Sequence, residues 1–248
     1  MNRKIKKSIN QEKNNKKYAM EYYKDEAESL AHFALDTKIL DRLFAKKGRL
    51  LDSTMGRGRH VIHFAQKGFE VSGNDYNIHM VQLVKKDLKE KNLDAALYNL
   101  DITNLSKIKN NFFHYVICMY NSLGSVHSKR NRQKAINELA RVLKKGGIMA
   151  IHVHNMNGDL FNFRNMLWTL SGYFPRGIGM ERGDYYYRHE SLGTTYQHLF
   201  TLKEMRQHFK NAGLKIEKEI FLSKNQDRYC AGLLKHLRSG GFIFVCRK

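Results

Sequence analysis

Apolar and polar residues alternate along the chain in blocks that predict strands and helices in turn. Five short apolar runs are predicted to be strands, at residues 49–53, 69–74, 95–100, 115–119 and 148–153. Segments in which apolar residues recur at helical spacing lie between them, at residues 59–67, 78–91 and 130–143. Strands that alternate with helices in this way predict an α/β fold with a doubly wound, mostly parallel sheet.

The block at residues 155–197 breaks this rhythm, because it is rich in aromatic residues and glycine. We expect it to form a small α/β cap insertion. Its apolar pattern predicts a helix at residues 160–170 first, and then strands at residues 185–189 and 194–200.

The two ends of the chain differ in character. After the cap, a helix at residues 202–212, with Thr201 as its N-cap, and two further strands close the chain. Residues 1–17 carry seven Lys or Arg side chains and one acid, which predicts a basic flexible tail. We therefore expect one domain at residues 18–248, with the cap inserted at about residues 155–197.

Charge bears on the partners of the protein. The chain carries a formal net charge of +21, and such an excess attracts anionic partners, RNA among them. The Lys and Arg residues are spread along the chain rather than confined to one stripe, however, so a lysine-rich surface is favoured over a nucleic-acid site.

Several classes of protein are excluded by what the sequence lacks. It has no run of eighteen apolar residues, so we expect no membrane span. Its cysteines, Cys118, Cys230 and Cys246, are odd in number and far apart, which argues against disulfides and against a zinc site. Since no group of His, Cys, Asp and Glu has metal-ligand spacing, we predict no metal. We expect a cytoplasmic protein, and the sequence leaves its oligomeric state open.

The first predicted strand runs into a turn that contains Gly56 and Gly58, which let the backbone approach a ligand at the start of the next helix. Asp52 ends this strand, and Asp75 and Asp101 follow the second and third strands. Because the carboxyl ends of parallel strands meet at one edge of a sheet, we expect these carboxylates to be neighbours, with Asp75 accepting hydrogen bonds from ribose hydroxyls.

A glycine turn followed by an acid also describes NAD-binding domains, so the turn alone predicts only a nucleotide. Two observations favour another cofactor. The third glycine of a dinucleotide turn is absent, and the chain closes with two strands after the fifth parallel strand.

Residues 51–58, 69–75, 101–102 and 143–151 together resemble the motifs of class I S-adenosylmethionine-dependent methyltransferases. The resemblance implies a Rossmann-like, seven-stranded sheet whose last strand is antiparallel, and S-adenosylmethionine as the cofactor. The cofactor contacts that it implies are Asp52, Thr54, Gly56, Gly58, Asp75, Tyr76, Asp101, Ile102, Met119 and Tyr120. Thr54 stands where the family usually has a glycine, which is expected to tighten the space beside the methionine moiety.

Residues 116–124 and 146–155 resemble the corresponding segments of glycine N-methyltransferases and their small-molecule relatives. Those enzymes hold the substrate carboxylate with an arginine at the position of His154, which argues against an amino-acid substrate here. The predicted catalytic residues are His154 and Tyr120. The predicted substrate contacts are Asn121, His154, Trp168 and Tyr186. For His154, a structural role is an equal alternative.

These features predict an enzyme that transfers a methyl group to a nitrogen or oxygen atom of a small molecule. Two alternatives stay open. In the first alternative, the chain is an RNA methyltransferase that uses its basic surface. In the second, it binds S-adenosylmethionine or nucleic acid without catalysis.

Overall fold

The computed structural model describes residues 16–17, 19, 26–158, 160, 163–174, 177, 179–189 and 193–248. At residues 26–33, 163–165, 168, 189 and 193, the description covers the backbone only. The predicted basic tail at residues 1–17 lies almost wholly outside the described residues. The division of the chain into a tail and one domain therefore stays a prediction.

The main sheet has seven strands in the order β3-β2-β1-β4-β5-β9-β8, and strands β6 and β7 form a separate hairpin. The strands are β1 Arg49–Asp52, β2 Glu70–Asn74, β3 Ala96–Tyr98, β4 Phe113–Cys118, β5 Leu143–His154, β6 Asp184–His189, β7 Gly193–His198, β8 Lys215–Leu222 and β9 Gly241–Arg247. Strands β1 to β5 pair in parallel, and β9 is antiparallel to both β5 and β8. The prediction of a mostly parallel seven-stranded sheet with an antiparallel last strand is confirmed.

Helices connect the strands and cover both faces of the sheet. They are α1 Glu26–Leu43, α2 Arg59–Gln66, α3 Ile78–Glu90, α4 Lys129–Val142, α5 Phe163–Ser171, α6 Leu202–Asn211 and α7 Lys235–Arg238. The Thr201 hydroxyl accepts a hydrogen bond from the Glu204 amide at 3.2 Å, which confirms the predicted N-cap of α6. Among the described helices, none combines the length and the apolar character that a membrane crossing needs.

The cap insertion consists of α5 and the hairpin of β6 and β7, as predicted. The hairpin is anchored beside the sheet by a hydrogen bond from the Phe200 amide to the carbonyl of His154, at 2.9 Å. The cap therefore lies next to the carboxyl end of β5.

Strand β5 is covered on both faces. Met149, Ile151 and Val153 pack in a core that includes α4 and α6 side chains, whereas Ala150 packs in a second core with α1 and α2 side chains. Successive side chains of a strand point to opposite faces of the sheet. His152 and His154, two and four residues after Ala150, therefore lie on the same face of β5 as Ala150, toward α1.

For two of the element boundaries that differ from the prediction, the structure shows the physical reason. Strand β5 begins at Leu143 rather than at residue 148, because its register with β4 shifts across a bulge at residues 144–147 in which Gly146 has φ 74°. Strand β3 ends at Tyr98 rather than at residue 100. The Leu100 amide leaves the strand pattern and donates to Oδ1 of Asn74 at 3.0 Å.

Candidate functional site

A cavity of about 550 Å³ opens at the carboxyl ends of β1, β2 and β4. Asp52, Asp75 and Asp101 all line it, so the three carboxylates predicted to be neighbours do meet at one edge of the sheet. The volume lies in the range of small-molecule sites, about 300–1,000 Å³. The site is therefore large enough for a nucleoside-sized ligand.

The glycine turn connects β1 to α2 through two left-handed residues, Gly56 with φ 52° and Gly58 with φ 74°. Gly56 lines the cavity, but Gly58 does not. A Cβ atom on Gly58 would lie 2.7 Å from Cγ1 of Val84, so this glycine lets the turn pack against α3. Gly58 therefore lets the turn pack against α3 outside the cavity wall, whereas the backbone of Gly56 lines the cavity.

Thr54 lines the cavity at the position where the family motif has a glycine. Its backbone amide donates to Oδ1 of Asp52 at 3.4 Å, and its hydroxyl lies 3.7 Å from the Cys118 thiol at the end of β4. The Thr54 side chain thus has a polar neighbour on the sheet, which explains how the turn accommodates it.

The Asp75 carboxylate is fixed at the cavity wall by two backbone amides. Oδ2 accepts a hydrogen bond from the Gly56 amide at 2.9 Å, and Oδ1 accepts one from the Asn77 amide at 2.8 Å. Burial, together with the nearby charge of Asp52, raises the pKa of Asp75 even though these two hydrogen bonds lower it. Each oxygen keeps a second lone pair, so the carboxylate can accept hydrogen bonds from two ligand hydroxyls.

Tyr76, Asp101 and Ile102 line the part of the cavity beyond Asp75. The Asn99 amide group donates to the carbonyls of Asp75 and Tyr76, both at 2.9 Å, and so fixes this segment. Oδ1 of Asp101 accepts a hydrogen bond from the Thr103 amide at 2.8 Å. Asp101 therefore makes a local turn bond and lines the cavity at the same time.

Sequence reasoning missed a buried group of charges behind the turn. Nε2 of His60 lies 3.5 Å from Oδ2 of Asp36, and Nδ1 of His60 lies 3.7 Å from Oδ2 of Asp52. Burial alone would lower the pKa of His60, but the two carboxylates raise it overall. The Arg59 guanidinium binds both oxygens of Asp36, at 2.9 and 2.8 Å.

These charged side chains join α1 to the glycine turn, because Asp36 belongs to α1 and His60 lies two residues after Gly58. Asp36 lies beside apolar positions of that helix, and a buried acid in an apolar stripe is the signal that would have revealed it. The His60 and Arg59 partners outweigh the burial that raises the pKa of Asp36, and hold it well below its usual range.

The end of β4 carries unusual backbone geometry. Tyr120 and Asn121 both have φ 55°, in the left-handed region that residues other than glycine rarely adopt. Met119 and Tyr120 line the cavity, as predicted. Such strain is often concentrated at functional sites, and here it turns the chain just beside the predicted cofactor position.

Asn121 was predicted to contact substrate, but its amide group is engaged within the protein. Oδ1 accepts a hydrogen bond from the His154 amide at 2.9 Å, and Nδ2 donates to Oε1 of Gln197 at 2.8 Å. Asn121 is fully buried. Its contacts join β4, β5 and the cap hairpin, which favours a scaffolding role.

His154 lies beside the cavity rather than in its wall. Its ring centroid is 6.0 Å from that of Tyr120 and 5.6 Å from that of His152. Burial lowers the pKa of His154 to about 4. Burial first, and the neighbouring His154 second, lower the pKa of His152 to about 3. Both imidazoles are therefore neutral at physiological pH.

Of the two predicted cap residues, Trp168 and Tyr186, the structure describes only the side chain of Tyr186. Tyr186 is 53% exposed, and its ring packs 5.5 Å from that of Tyr196 on the hairpin. Burial first, and then the nearby Tyr120, raise the pKa of Tyr187 on the same strand as Tyr186. The Trp168 side chain lies outside the described residues.

A second buried network fastens the cap hairpin to α4. The guanidinium of the fully buried Arg132 pairs with Glu181, and donates to the Tyr196 hydroxyl at 3.1 Å. Asp184 bonds Nδ1 of His198 at 2.6 Å. Glu181, Asp184 and His198 are close enough to share a metal ion, but Arg132 supplies the positive charge there. We interpret this group as an ion-pair network.

The loop after β4 completes the cavity wall, and sequence reasoning did not single it out. It contributes Ser122, Ser125, Val126, His127 and, at the start of α4, Asn131. These residues form no motif. Their only signal was their position after the strand that carries Met119 and Tyr120.

Comparison with known proteins agrees with this geometry. Residues 50–147 match a family model described as a methyltransferase domain. The chain is 30% identical over 131 residues to "Putative methyltransferase YqeM" of Bacillus subtilis (strain 168), which covers 53% of this chain and 52% of that protein. It is 28% identical over 107 residues to the glycine/sarcosine N-methyltransferase of Aphanothece halophytica, with 43% and 40% covered. The chain thus spans about half the length of these curated relatives, or less.

Among solved structures, an S-adenosylmethionine-dependent methyltransferase from Methanosarcina mazei superposes with a TM-score of 0.66 at 21% identity, covering 81% of this chain and 92% of that one. This likeness concerns the fold. The matched family model, the sequence relatives and the seven-stranded sheet with its antiparallel β9 agree with one another. Residues 50–147 thus match the methyltransferase-domain family, and the described chain has the fold of solved S-adenosylmethionine-dependent methyltransferases.

Proposed function

We propose that this chain transfers a methyl group from S-adenosylmethionine to a nitrogen or oxygen atom of a small molecule. One observation carries the proposal: the Asp75 carboxylate is fixed by the amides of Gly56 and Asn77 at the wall of a cavity that the glycine turn also lines. A carboxylate held in this way suits a ribose with two free hydroxyls.

The residues fit the parts of the cofactor. Asp75 would hold the ribose hydroxyls, while Tyr76 and Ile102 would flank the adenine. Gly56 leaves room for the amino-acid portion next to Asp52. When bound, S-adenosylmethionine supplies an electrophilic methyl group on its sulfonium centre. The protein then has to align the acceptor, exclude water and accommodate the acceptor proton.

A small acceptor is favoured over RNA by the cap and by the relatives. The cap hairpin stands beside the end of β5, and its Tyr187 is close enough to Tyr120, in the cavity wall, for Tyr120 to raise its pKa. The relative from Aphanothece halophytica is named for glycine and sarcosine, which are small amines. The net charge of +21 remains the one observation that favours RNA.

The first test is calorimetric binding of S-adenosylmethionine and S-adenosylhomocysteine to the full chain. We expect Asp75→Ala to weaken both by at least about tenfold, because a lost pair of charge-assisted hydrogen bonds is worth about 1.5–3 kcal/mol. Asp94→Asn is the matched control, since Asp94 is exposed and away from the cavity. If the unaltered chain binds neither compound, or if Asp75→Ala binds them equally well, the proposal fails.

The second test uses methyl-labelled S-adenosylmethionine with pools of metabolites and of RNA in parallel. We expect label in the small-molecule fraction. Label that enters RNA alone, and that depends on Asp75, would replace the small-molecule acceptor by RNA.

A further inference from the structure

A second cavity lies at the edge of the sheet opposite the cofactor cavity, where β4 begins and β9 ends. Its volume is about 550 Å³, which is in the range of small-molecule sites. The bulge of β5 at residues 144–147 forms one side of it, and His114 at the start of β4 forms another. The fold therefore offers a second ligand-sized space, at the other end of β4 from the cofactor.

Three lysines give this cavity an excess of positive charge. Lys144 and Lys145 line it, and Lys248 lies at its edge, where the ammonium donates to Oδ1 of Asn111 at 2.8 Å. Among the residues that the structure describes, no carboxylate pairs with any of these three ammonium groups. Burial first, and then the charges of Lys145 and Arg141, lower the pKa of Lys248, which agrees with a positive potential in this region.

Two arginines at the same edge already have carboxylate partners. The Arg247 guanidinium binds both oxygens of Glu217, at 2.5 and 3.0 Å, and donates to the Gly146 carbonyl at 2.7 Å. Arg141 pairs with Glu138 at 2.7 Å. Arg247 therefore shapes the cavity wall, whereas the lysines supply the charge that the protein does not balance.

The imidazole of His114 and the ammonium of Lys144 meet at the cavity wall as two hydrogen-bond donors. Nδ1 of His114 accepts a hydrogen bond from the Arg49 amide at 3.0 Å, which leaves the proton of the neutral ring on Nε2. Nε2 lies 3.3 Å from Nζ of Lys144, and an ammonium group can only donate. Neither group can accept from the other, so an oxyanion that accepts from both would satisfy them.

Positive charge also acts on the ring of His114. Burial first, and then Lys144 and Arg49, lower the pKa of His114, while Glu70 raises it. The imidazole is therefore neutral at physiological pH, and its neighbours are mainly cationic. An anion bound beside the ring would oppose these charges and raise the pKa of His114, which gives the site a direct readout.

We propose that this cavity binds the phosphate group of a small anionic ligand, held by Lys144, Lys145 and the Nε2–H group of His114. A phosphate group offers three acceptor oxygens and up to two negative charges, which match these three donors and the two ammonium groups. Gly146 leaves the entrance open, since no heavy atom lies within 4 Å of the position that its Cβ would take.

A small ligand is favoured over nucleic acid, because these donors converge on one cavity instead of forming a stripe along the surface. The inference does not depend on methyl transfer, since the two cavities share no lining residue.

The test is nitrogen-15 NMR of the full chain labelled at histidine, with His114→Phe to assign the signals. Inorganic phosphate and ribose 5-phosphate are the probes. Acetate at the same ionic strength is the control anion, and a single-stranded RNA oligomer is the alternative ligand. We expect both phosphate compounds to shift the ring-nitrogen signals of His114 to a saturating value and to raise its pKa, and acetate to do neither.

Variants of the lysines separate a phosphate site from general attraction of anions. Lys144→Met removes the ammonium but keeps an aliphatic side chain, and we expect it to weaken binding of ribose 5-phosphate by about tenfold. Lys144→Arg keeps the charge and should recover most of that loss. Lys145→Glu, at an exposed position, should weaken binding at least as much even if Lys144→Met does not fold. Lys85→Met, exposed on α3, is the matched control and should bind like the unaltered chain.

Three results would overturn the inference. The first is a His114 signal that the phosphate compounds leave unchanged, or shift no more than acetate does. The second is an equal loss of binding in Lys85→Met and Lys144→Met, which would show that only the overall charge matters. The third is a response to the RNA oligomer alone that weakens steeply with added salt, which would assign the cavity to a nucleic-acid backbone.

Discussion

Asp36 and His60 face each other at 3.5 Å, between helix α1 and the start of α2, with Asp52 on the other side of the imidazole at 3.7 Å. His60 is buried between these two carboxylates, which raise its pKa against the effect of burial. The position of α1 is thereby coupled to the turn that lines the cofactor cavity.

Asp36→Asn is expected to destabilise the protein by about 3 kcal/mol, because it removes the buried carboxylate that binds the Arg59 guanidinium and faces the buried His60. Cofactor binding should weaken as well, since Asp52 then holds His60 alone. Urea unfolding with and without S-adenosylhomocysteine measures both effects. Asp41→Asn is the control on the same helix. Asp41 pairs with Lys67 and His63 nearer the surface, where a loss of less than about 1 kcal/mol is expected. Equal effects of the two variants would show that the Asp36 contacts are unimportant.

His152 makes the stability of the protein sensitive to acid. The pKa of His152 is about 3 in the folded protein and about 6.5 in the unfolded chain, so the unfolded chain binds the extra proton between these values. Stability is therefore lost as the pH falls from 6.5 towards 3. At pH 5 this histidine alone should cost about 2 kcal/mol relative to pH 7.5.

Urea unfolding of the unaltered protein and of His152→Phe, at pH 7.5 and at pH 5.0, tests this expectation. The variant should lose less stability on acidification, by about 2 kcal/mol. The other histidines are the same in both proteins, so their contributions cancel in the comparison, that of His60 with its raised pKa included. The exposed His236→Phe should show no such difference. An identical pH dependence of His152→Phe and the unaltered protein would mean that His152 is not held neutral.

Gly58 combines a left-handed backbone with a close contact. Its φ is 74°, and an added Cβ would lie 2.7 Å from Val84. Gly58→Ala should therefore cost about 1 kcal/mol for the backbone and a further 1–2 kcal/mol for the contact. Gly213→Ala isolates the first effect, because Gly213 has φ 69° and no heavy atom within 4 Å of the added Cβ.

Thermal unfolding of the two glycine variants, and of Gly58→Ala combined with Val84→Ala, measures these contributions. The second substitution opens space for the added methyl group, so the double variant should cost less than the sum of the two single ones. Strict additivity would argue against the predicted contact with Val84.

The order of strands and helices was predictable because the apolar pattern of each segment is set by which faces it buries. The run before the Asp52 turn and the apolar run at residues 115–119 are examples. The carboxylate cluster of Asp52, Asp75 and Asp101 was predictable too, since it follows from the topology of a parallel sheet. The early start of β5 was not, because the bulge at residues 144–147 depends on pairing with β4 and not on local preference.

The residues predicted for the site do not all face the cavity. Gly58 turned out to pack against Val84 behind the cavity, and the Asn121 amide is taken up by His154 and Gln197. Asp36 contributes through a contact between distant parts of the chain. Spacing along the sequence places residues at strand ends, but the direction of a side chain and its long-range partners depend on packing that no local pattern encodes.

Arg132 holds the cap in place from within the protein. It is fully buried, pairs with Glu181, and has Asp184 at 3.9 Å and Glu204 at 3.8 Å. His198 links the same two acids, at 2.6 Å to Asp184 and 3.0 Å to Glu204. Arg132→Met removes the guanidinium that pairs with these carboxylates. It should destabilise the protein by about 3–5 kcal/mol, as breaking a buried ion pair does.

Arg132→Met should loosen the cap more than it weakens cofactor binding. Limited proteolysis is expected to cut Arg132→Met within residues 177–198 faster than the unaltered chain, while S-adenosylhomocysteine binding at low temperature stays within about threefold. Arg206→Met is the matched control, because Arg206 is exposed and its pair with Glu219 is worth less than about 1 kcal/mol. Cleavage of the cap at the unaltered rate would contradict the role of Arg132, because the hairpin would then be held by its other contacts alone.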